Sequence, residues 1–319
     1  MSSNAPTTAS DLFVNLTVND HPVASFLYPS NASFLNSIEI LNASASTDDQ
    51  NLTNYVFELA DNYAFSDSRT LCSSNLTNCT FDTTSPSIQD KCTEDTWDCY
   101  LRLNVTDVDN LQNSTIIQVQ IDNTEPTIRL NASVNNTWLD SNVVDFNYTV
   151  IDTNLNTCIL YHNESGTWKA NETNSTVANN TMDVITINLL DGNFVWDVWC
   201  NDSAGNNRFN GSNFTINVDT IFPTINFSGG TEKNNTFFAR DWIFVNVSVN
   251  DSNFANMTFY MYNSSLDLIN STEYTAVNQT SSEGTTNTSI NFTNLEDKDE
   301  VYYYNVTVRD KANNENSTR

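Results

Sequence analysis

The stretch Val218-Asp219-Thr220-Ile221-Phe222-Pro223-Thr224-Ile225 echoes Ile121-Asp122-Asn123-Thr124-Glu125-Pro126-Thr127-Ile128, about a hundred residues earlier. In both, an apolar strand end meets an Asp, a Pro-containing linker follows, and a new apolar strand begins. Self-similarity at a fixed period commits a chain to several copies of one structural unit. More landmarks keep the same phase. Phe146 to Asp152 matches Val245 to Asp251, and Asp202-Ser203-Ala204-Gly205-Asn206-Asn207 matches Asp310-Lys311-Ala312-Asn313-Asn314. The first third carries weaker equivalents: Pro22 opens it, Ile38 to Ser44 resembles the second strand, and Tyr100 to Asp107 resembles the sixth. The expected domains are therefore 22–122, 123–219 and 220–319, preceded by a polar N-terminus with one unassigned strand over 1–21.

The period of the apolar residues sets the fold class. In a strand, residues i and i+2 share a face. Val245, Val247 and Val249 alternate with Asn246 and Ser248; Phe146, Tyr148 and Val150 alternate with Asn147 and Thr149. Short alternating runs of β-branched and aromatic residues, without long helical periods, predict an all-β protein. A chain of 319 residues is too long for one small sandwich. Gly and Pro, at 7 and 6, are too few for a collagen-like or Pro-rich disordered chain.

Asp-x-x-x-Pro-Thr-Ile at a domain start, with Asp-x-Ala-Gly/Asn-Asn after a late strand, resembles the immunoglobulin-like repeats of bacterial and archaeal cell-surface proteins of the surface-layer or adhesin type. The dense sequons described next lean towards the archaeal members. The resemblance implies tandem Greek-key β-sandwiches arranged end to end. Within it, aligning Asp152 with Asp251 sets Cys158 against Met257, and aligning Asp202 with Asp310 sets Cys200 against Val308. Both third-domain residues lie on the apolar face, so the two cysteines are expected to pair inside the second domain.

About thirty Asn-X-Ser/Thr sequons run through the chain, against roughly twelve expected by chance. Alternation puts Asn147, Asn213, Asn246 and Asn305 on the wet face of their strands, and Asn15 and Asn104 sit in comparable runs. Glycans there would coat a sheet without entering its core, which predicts an extracellular, cell-surface glycoprotein. Met1 to Asp11 carries no basic or apolar signal region, so the chain reads as mature, trimmed or a fragment. With Lys+Arg 12 against Asp+Glu 39, the net charge of -27 disfavours nucleic acid and anionic membranes as partners. No apolar run is long enough for direct membrane insertion. The expected partners are copies of the chain itself or neighbouring surface proteins, together with covalent N-glycans.

Six cysteines fall in two groups, Cys72, Cys79, Cys92 and Cys99, then Cys158 and Cys200. Even counts suit disulfides in an oxidising compartment. For the first four, three pairings stay open, and zinc is the lesser alternative because no Cys-x-x-Cys pair occurs.

Catalytic constellations are missing from the sequence: neither His21 nor His162 has a nucleophile and an orienting acid at hand, and no enzyme activity is expected. His162 is expected in a sequon-rich loop. Trp199 and Tyr303 are the outward aromatics on which an adhesin or carbohydrate-binding role would rest, whereas Trp196, Tyr302 and Tyr304 face a core. The one recurrent constellation is acidic. The resemblance gathers Asp122, Asp152 and Asp202 at one end of a sandwich, and Asp219, Asp251 and Asp310 at another. Two readings stay open. Asp side chains cap their own turns, which is the leading one, or the clusters hold calcium through hard oxygen ligands, with no other cofactor expected.

The phase of the repeats leaves a strand over. Ser114 to Ile121 and Asn213 to Val218 close the first two domains, and the third shows no such strand. Leu12 to Asn19 belongs to no domain, yet Val14, Leu16 and Val18 alternate like Ile117, Val119 and Ile121. Either the chain is cut from a longer array or this segment is a donor strand for another copy. The expected function is a rod-like structural spacer or filament subunit assembling head to tail, with the adhesin as the alternative.

Overall fold

The computed structural model describes residues 18–131, 135–275, 285–295 and 300–318. Asn15, Val14 and Leu16 lie outside them. The chain divides into two compact units: residues up to Glu125 with Asp152–Asn154 and Asn201–Asn207, and Pro126–Ile151, Leu155–Cys200 and Arg208 onward.

In the first unit the strands are β1 (Ser33–Leu35), β2 (Ile38–Asn42), β3 (Leu52–Ala60), β4 (Arg69–Ser74), β5 (Asn78–Asp82), β6 (Cys99–Asp107) and β7 (Gln112–Ile121), with one turn of helix, α1, at Pro86–Gln89. One sheet runs β1-β7-β6-β3-β4 and the other pairs β2 with β5. Alternation fills the space between them. Phe57 and Leu59 from β3, Leu101, Leu103 and Val105 from β6, and Val119 and Ile121 from β7 are buried in one cluster. Each such side chain contributes about 1.5–3 kcal/mol on leaving water. Cys72–Cys79 ties β4 to β5, and Cys92–Cys99 ties the segment after α1 to the start of β6.

The second unit holds two strand sets, each around its own core. The first comprises β8 (Thr127–Leu130), β9 (Thr137–Leu139), β10 (Val143–Ile151), β11 (Leu155–His162), β12 (Lys169–Asn174), β13 (Met182–Asn188), β14 (Gly192–Asp202), β15 (Asn207–Phe209) and β16 (Phe214–Val218). Its sheets run β13-β10-β8 and β12-β11-β14-β16-β9, with β15 on β14. The second comprises β17 (Thr224–Phe227), β18 (Ile243–Asn250), β19 (Phe254–Tyr262), β20 (Leu268–Thr275), β21 (Thr285–Phe292), β22 (Tyr303–Asp310) and β23 (Glu315–Ser317). Its sheets run β17-β18-β21 and β20-β19-β22-β23. Two facing sheets with alternating inner residues, antiparallel except where the short β9 lies parallel to β16, make each set an immunoglobulin-like sandwich in this strand order. The protein is all-β, and none of the described helices is long and apolar enough to cross a membrane.

Cys158 and Cys200 form a disulfide inside the middle core. Their counterparts Met257 and Val308 stand opposite each other across β19 and β22, both buried. His162 departs from expectation. It is the last residue of β11, in phase with Cys158 and Leu160, and is fully buried rather than lying in a loop. Its Nδ1 accepts the Glu164 backbone N–H (3.2 Å), and burial pulls its pKa down, so the ring is neutral with Nε2 carrying the proton. The structure also buries an acid that sequence reasoning passed over. Asp197 sits on the outer face of β14, where burial pushes its pKa up to about 6 against backbone donors from Val198 and Asn210.

The closing strands β7 and β16 share one arrangement. Each is antiparallel to its long neighbour, β6 or β14, and parallel to a short strand, β1 or β9. In the third sandwich β23 repeats the position of β15, but no counterpart of β9 or β16 is found among the described residues.

Candidate functional site

Each Asp of the repeated turns makes a local bond first. Asp122 Oδ1 accepts the Thr124 N–H (3.0 Å) and Asp219 Oδ1 that of Ile221 (3.1 Å). Asp152 Oδ1 accepts from Asn154 N (2.7 Å), Asp251 Oδ1 from Asn253 N (2.6 Å). Asp202 Oδ1 takes Gly205 N and Asn206 N (2.7 and 2.9 Å), and Asp310 Oδ1 takes Asn314 N (2.9 Å). These are Asx-type turns, in which a carboxylate satisfies backbone donors that the bend leaves over.

Asparagine then joins the turns. Within the first unit, the Asn154 side chain donates to Asp122 Oδ2 (2.8 Å) and Asp95 Oδ1 (3.0 Å). The Asn206 side chain donates to Asp202 Oδ2 and to the Asp122 carbonyl (both 2.8 Å), while its own oxygen accepts from Asn36 (2.8 Å). Within the second unit, Asn253 donates to Asp219 Oδ2, and Asn314 to Asp310 Oδ2 and the Asp219 carbonyl (all 2.7 Å). An Asn amide offers two N–H groups and one acceptor, so one side chain can close two carboxylates, or a carboxylate and a carbonyl, at once.

The structure thus brings Asp122, Asp152 and Asp202 together, with carboxylate oxygens within 4.8 Å of one another, and likewise Asp219, Asp251 and Asp310. All six are buried. Burial and the neighbouring carboxylates raise the pKa of Asp152, Asp202 and Asp251. Asp95 is pushed up to about 6 by burial, the Asp122, Asp152 and Glu94 charges, and a hydrogen bond with Asp122. The oxygen-only donor set suits a hard cation such as calcium. Capping and Asn bridging, however, account for every bond described above, so convergence alone speaks for a metal.

A third instance went unread in the sequence. Asp107 is fully buried, and its Oδ1 accepts Asp109 N (2.8 Å) and Leu111 N (2.9 Å). Its amide donates to the Leu111 carbonyl (3.1 Å), as Asp202 N does to Asn206 O (3.1 Å) and Asp310 N to Asn314 O (3.2 Å). Asp48 accepts Gln50 N (3.1 Å) in the manner of Asp152. Asn19 takes the place of Asp122, donating to Asp107 Oδ2 and Asp109 Oδ2 (both 2.9 Å). The signal was Val18-Asn19 set beside Ile121-Asp122 and Val218-Asp219. The change from Asp to Asn hid it, and it turns the residue from an acceptor into a donor.

Among the sequon residues, Asn213 is exposed, while Asn104, Asn147, Asn246 and Asn305 are half-buried on the face away from the core. Asn104 donates to Glu58 Oε2 (2.6 Å) and Asn246 to the Gly229 carbonyl (2.9 Å). Tyr303 is exposed, and Trp199 is half-buried. A ring cluster that the sequence did not suggest, Tyr161, Trp168 and Phe209, lies on the outer face of the middle sandwich.

No family model matches the chain, and no curated protein matches it either. Solved structures of similar arrangement include the fibronectin(III)-like modules of CbhA from Clostridium thermocellum, at 10% identity and TM-score 0.39, covering 61% of this chain and 93% of that one. Another is a tetra-tandem repeat from the extending region of a large adhesion protein (14%, TM-score 0.32, 94% and 72% covered). A third is from a 1.5-MDa bacterial ice-binding adhesin (16%, TM-score 0.32, 89% and 91% covered). At these TM-scores the likenesses carry no functional argument.

Proposed function

We propose that the chain is a structural extracellular glycoprotein, a cell-surface spacer or filament subunit whose copies join head to tail. The observation that carries this reading is the Asp–Asn turn built three times, each time where a closing strand or its equivalent runs into the next sandwich. Chemistry of this kind ties the turns at one end of a sandwich to one another. Three disulfides support an oxidising compartment. The sequon excess supports glycosylation, and the acidic surface supports solubility at high local density. An adhesin or carbohydrate-binding module is the second reading, favoured by the Tyr161–Trp168–Phe209 rings, because sugars stack on exposed aromatic faces.

Glycopeptide mass spectrometry of chain purified from its native source tests the leading reading. Occupancy is expected to be highest at exposed Asn213 and present at Asn147, Asn246 and Asn305. An essentially bare chain contradicts the extracellular assignment.

A further inference from the structure

The closed sandwiches grip their closing strands at three points. The amide of the residue before the short parallel strand donates to the closing strand, Ala32 N to Gln118 O and Asn136 N to Thr215 O (both 2.8 Å). The Asn one residue earlier accepts from the same strand residue, Gln118 N to Asn31 Oδ1 (2.9 Å) and Thr215 N to Asn135 Oδ1 (2.7 Å). At the far end Asp122 N donates to the Leu35 carbonyl (3.0 Å) and Asp219 N to that of Leu139 (2.9 Å). A pre-formed Asn plus a left-handed residue therefore makes one clamp, and the end of the short strand makes the other. The left-handed residue is Ala32 (φ 63) in one sandwich and Asn136 (φ 71) in the next.

The third sandwich shows the clamp, with no strand seated in it among the described residues. Asn234-Asn235-Thr236 stands as far before Asp251 as Asn135-Asn136-Thr137 stands before Asp152, and Asn235 is left-handed too (φ 61). Where β16 lies in the middle sandwich, a groove of about 1360 Å³ runs between Asn234–Phe238 and Tyr302–Tyr304. Its apolar lining is open to water: Phe237 is 96% exposed, Phe238 44% and Tyr303 48%. Arg240 holds one wall, stacked over Phe238 and Trp242 at 4.0 and 3.7 Å. It is ion-paired with Glu232.

We propose that this groove accepts the segment Leu12–Val18 of a second copy, laid down in the closing-strand position. The proposal rests on the head-to-tail reading and names its contact. Three observations select this occupant. Val14, Leu16 and Val18 repeat the spacing of Phe214, Ile216 and Val218. In both closed sandwiches the closing strand runs straight into the turn of the sandwich that follows. Asn19 already fills that turn position in the first unit, so residues 12–18 stand in sequence where a closing strand of another sandwich stands, and the open groove on the third sandwich matches that role. Val18 is also 80% exposed where it stands, leaving its side chain free to be buried elsewhere.

The register follows from the middle sandwich, where Gly192, Phe194 and Trp196 face Val218, Ile216 and Phe214. Carried over, Val18 faces Glu300, Leu16 faces Tyr302 and Val14 faces Tyr304. Asn15 N donates to Asn234 Oδ1, Asn235 N donates to the Asn15 carbonyl, and Asn19 N donates to the Phe238 carbonyl. Main-chain bonds give such an added strand its affinity, and alternate side chains in pockets give it its register.

The test mixes two full-length variants, Asn15→Cys and Tyr303→Cys, which the register sets opposite each other on the outer face. Oxidation should give a covalent pair between copies, with that one bond recovered by peptide mapping. A Leu16→Cys chain, one residue out of register and turned inward, should cross-link to Tyr303→Cys at least tenfold less. Leu16→Asp should abolish concentration-dependent association in sedimentation, and a synthetic Leu12–Asn19 peptide should suppress it in the wild type. No product between copies, equal products from Asn15→Cys and Leu16→Cys, or association untouched by Leu16→Asp would overturn the proposal. A glycosylated, surface-located chain that fails this test leaves the surface reading standing and removes the strand. A bare chain that passes it does the reverse.

Discussion

Replacing Cys158 and Cys200 together with alanine is expected to destabilise the middle sandwich by about 3–4 kcal/mol. The bond spans a sequence separation of 42, and closing a loop of that length restricts the unfolded chain by about that much. Both sulfurs are fully buried, so no water compensates for their loss. Trp196 is the local probe, since it packs against Phe146 and Phe214 in the same core (ring centroids 4.8 and 5.8 Å). With Trp97 and Trp242, which lie outside this sandwich, replaced by phenylalanine, denaturant titration read by tryptophan fluorescence isolates it, which matters because a chain with three separate cores need not unfold in one step. Cys158→Met with Cys200→Val, the pair found at Met257 and Val308, should recover about 1–2 kcal/mol of the loss through added apolar burial. A double alanine variant as stable as the wild type would mean the bond only decorates an already sufficient core.

The second large effect is expected at Asp310. It is 1% exposed and receives both the backbone and the side-chain N–H of Asn314. Alanine there strands two donors, at about 1–3 kcal/mol for each one left buried. A loss of about 3 kcal/mol in the third sandwich is the expected result, and Asp310→Asn should lose less because it keeps one acceptor oxygen. The melts are run in chelator and in millimolar calcium. Turn capping predicts the same loss in both. A loss confined to calcium would move the cluster from a capped turn to a cation site.

Much of this was legible in the residues, for physical reasons. Alternation at Val245, Val247 and Val249 is a period-2 signal that only a half-buried strand satisfies, and those side chains are at most 1% exposed. The pairing of Cys158 with Cys200 followed from alignment with Met257 and Val308, because repeats must fill the same space with the same volume. The convergence of Asp122, Asp152 and Asp202 followed from the turns of one sandwich end. What stayed hidden depended on contacts distant in sequence. The Asn bridges at Asn154, Asn206, Asn253 and Asn314 read locally as ordinary turn residues. Asn19 lost its likeness to Asp122 through one substitution. His162 looked like a loop residue because flanking polar residues masked its phase with Cys158 and Leu160. The pairings Cys72–Cys79 and Cys92–Cys99 needed the sheet order, which spacing alone does not fix.

The central claim is that copies of this chain join head to tail. Negative-stain imaging of the native chain across a concentration series tests it most directly. The account predicts unbranched end-to-end strings that lengthen with concentration and fall back to single chains when the Leu12–Asn19 peptide is added in excess. Single chains at every concentration, or side-by-side clusters indifferent to the peptide, would contradict it.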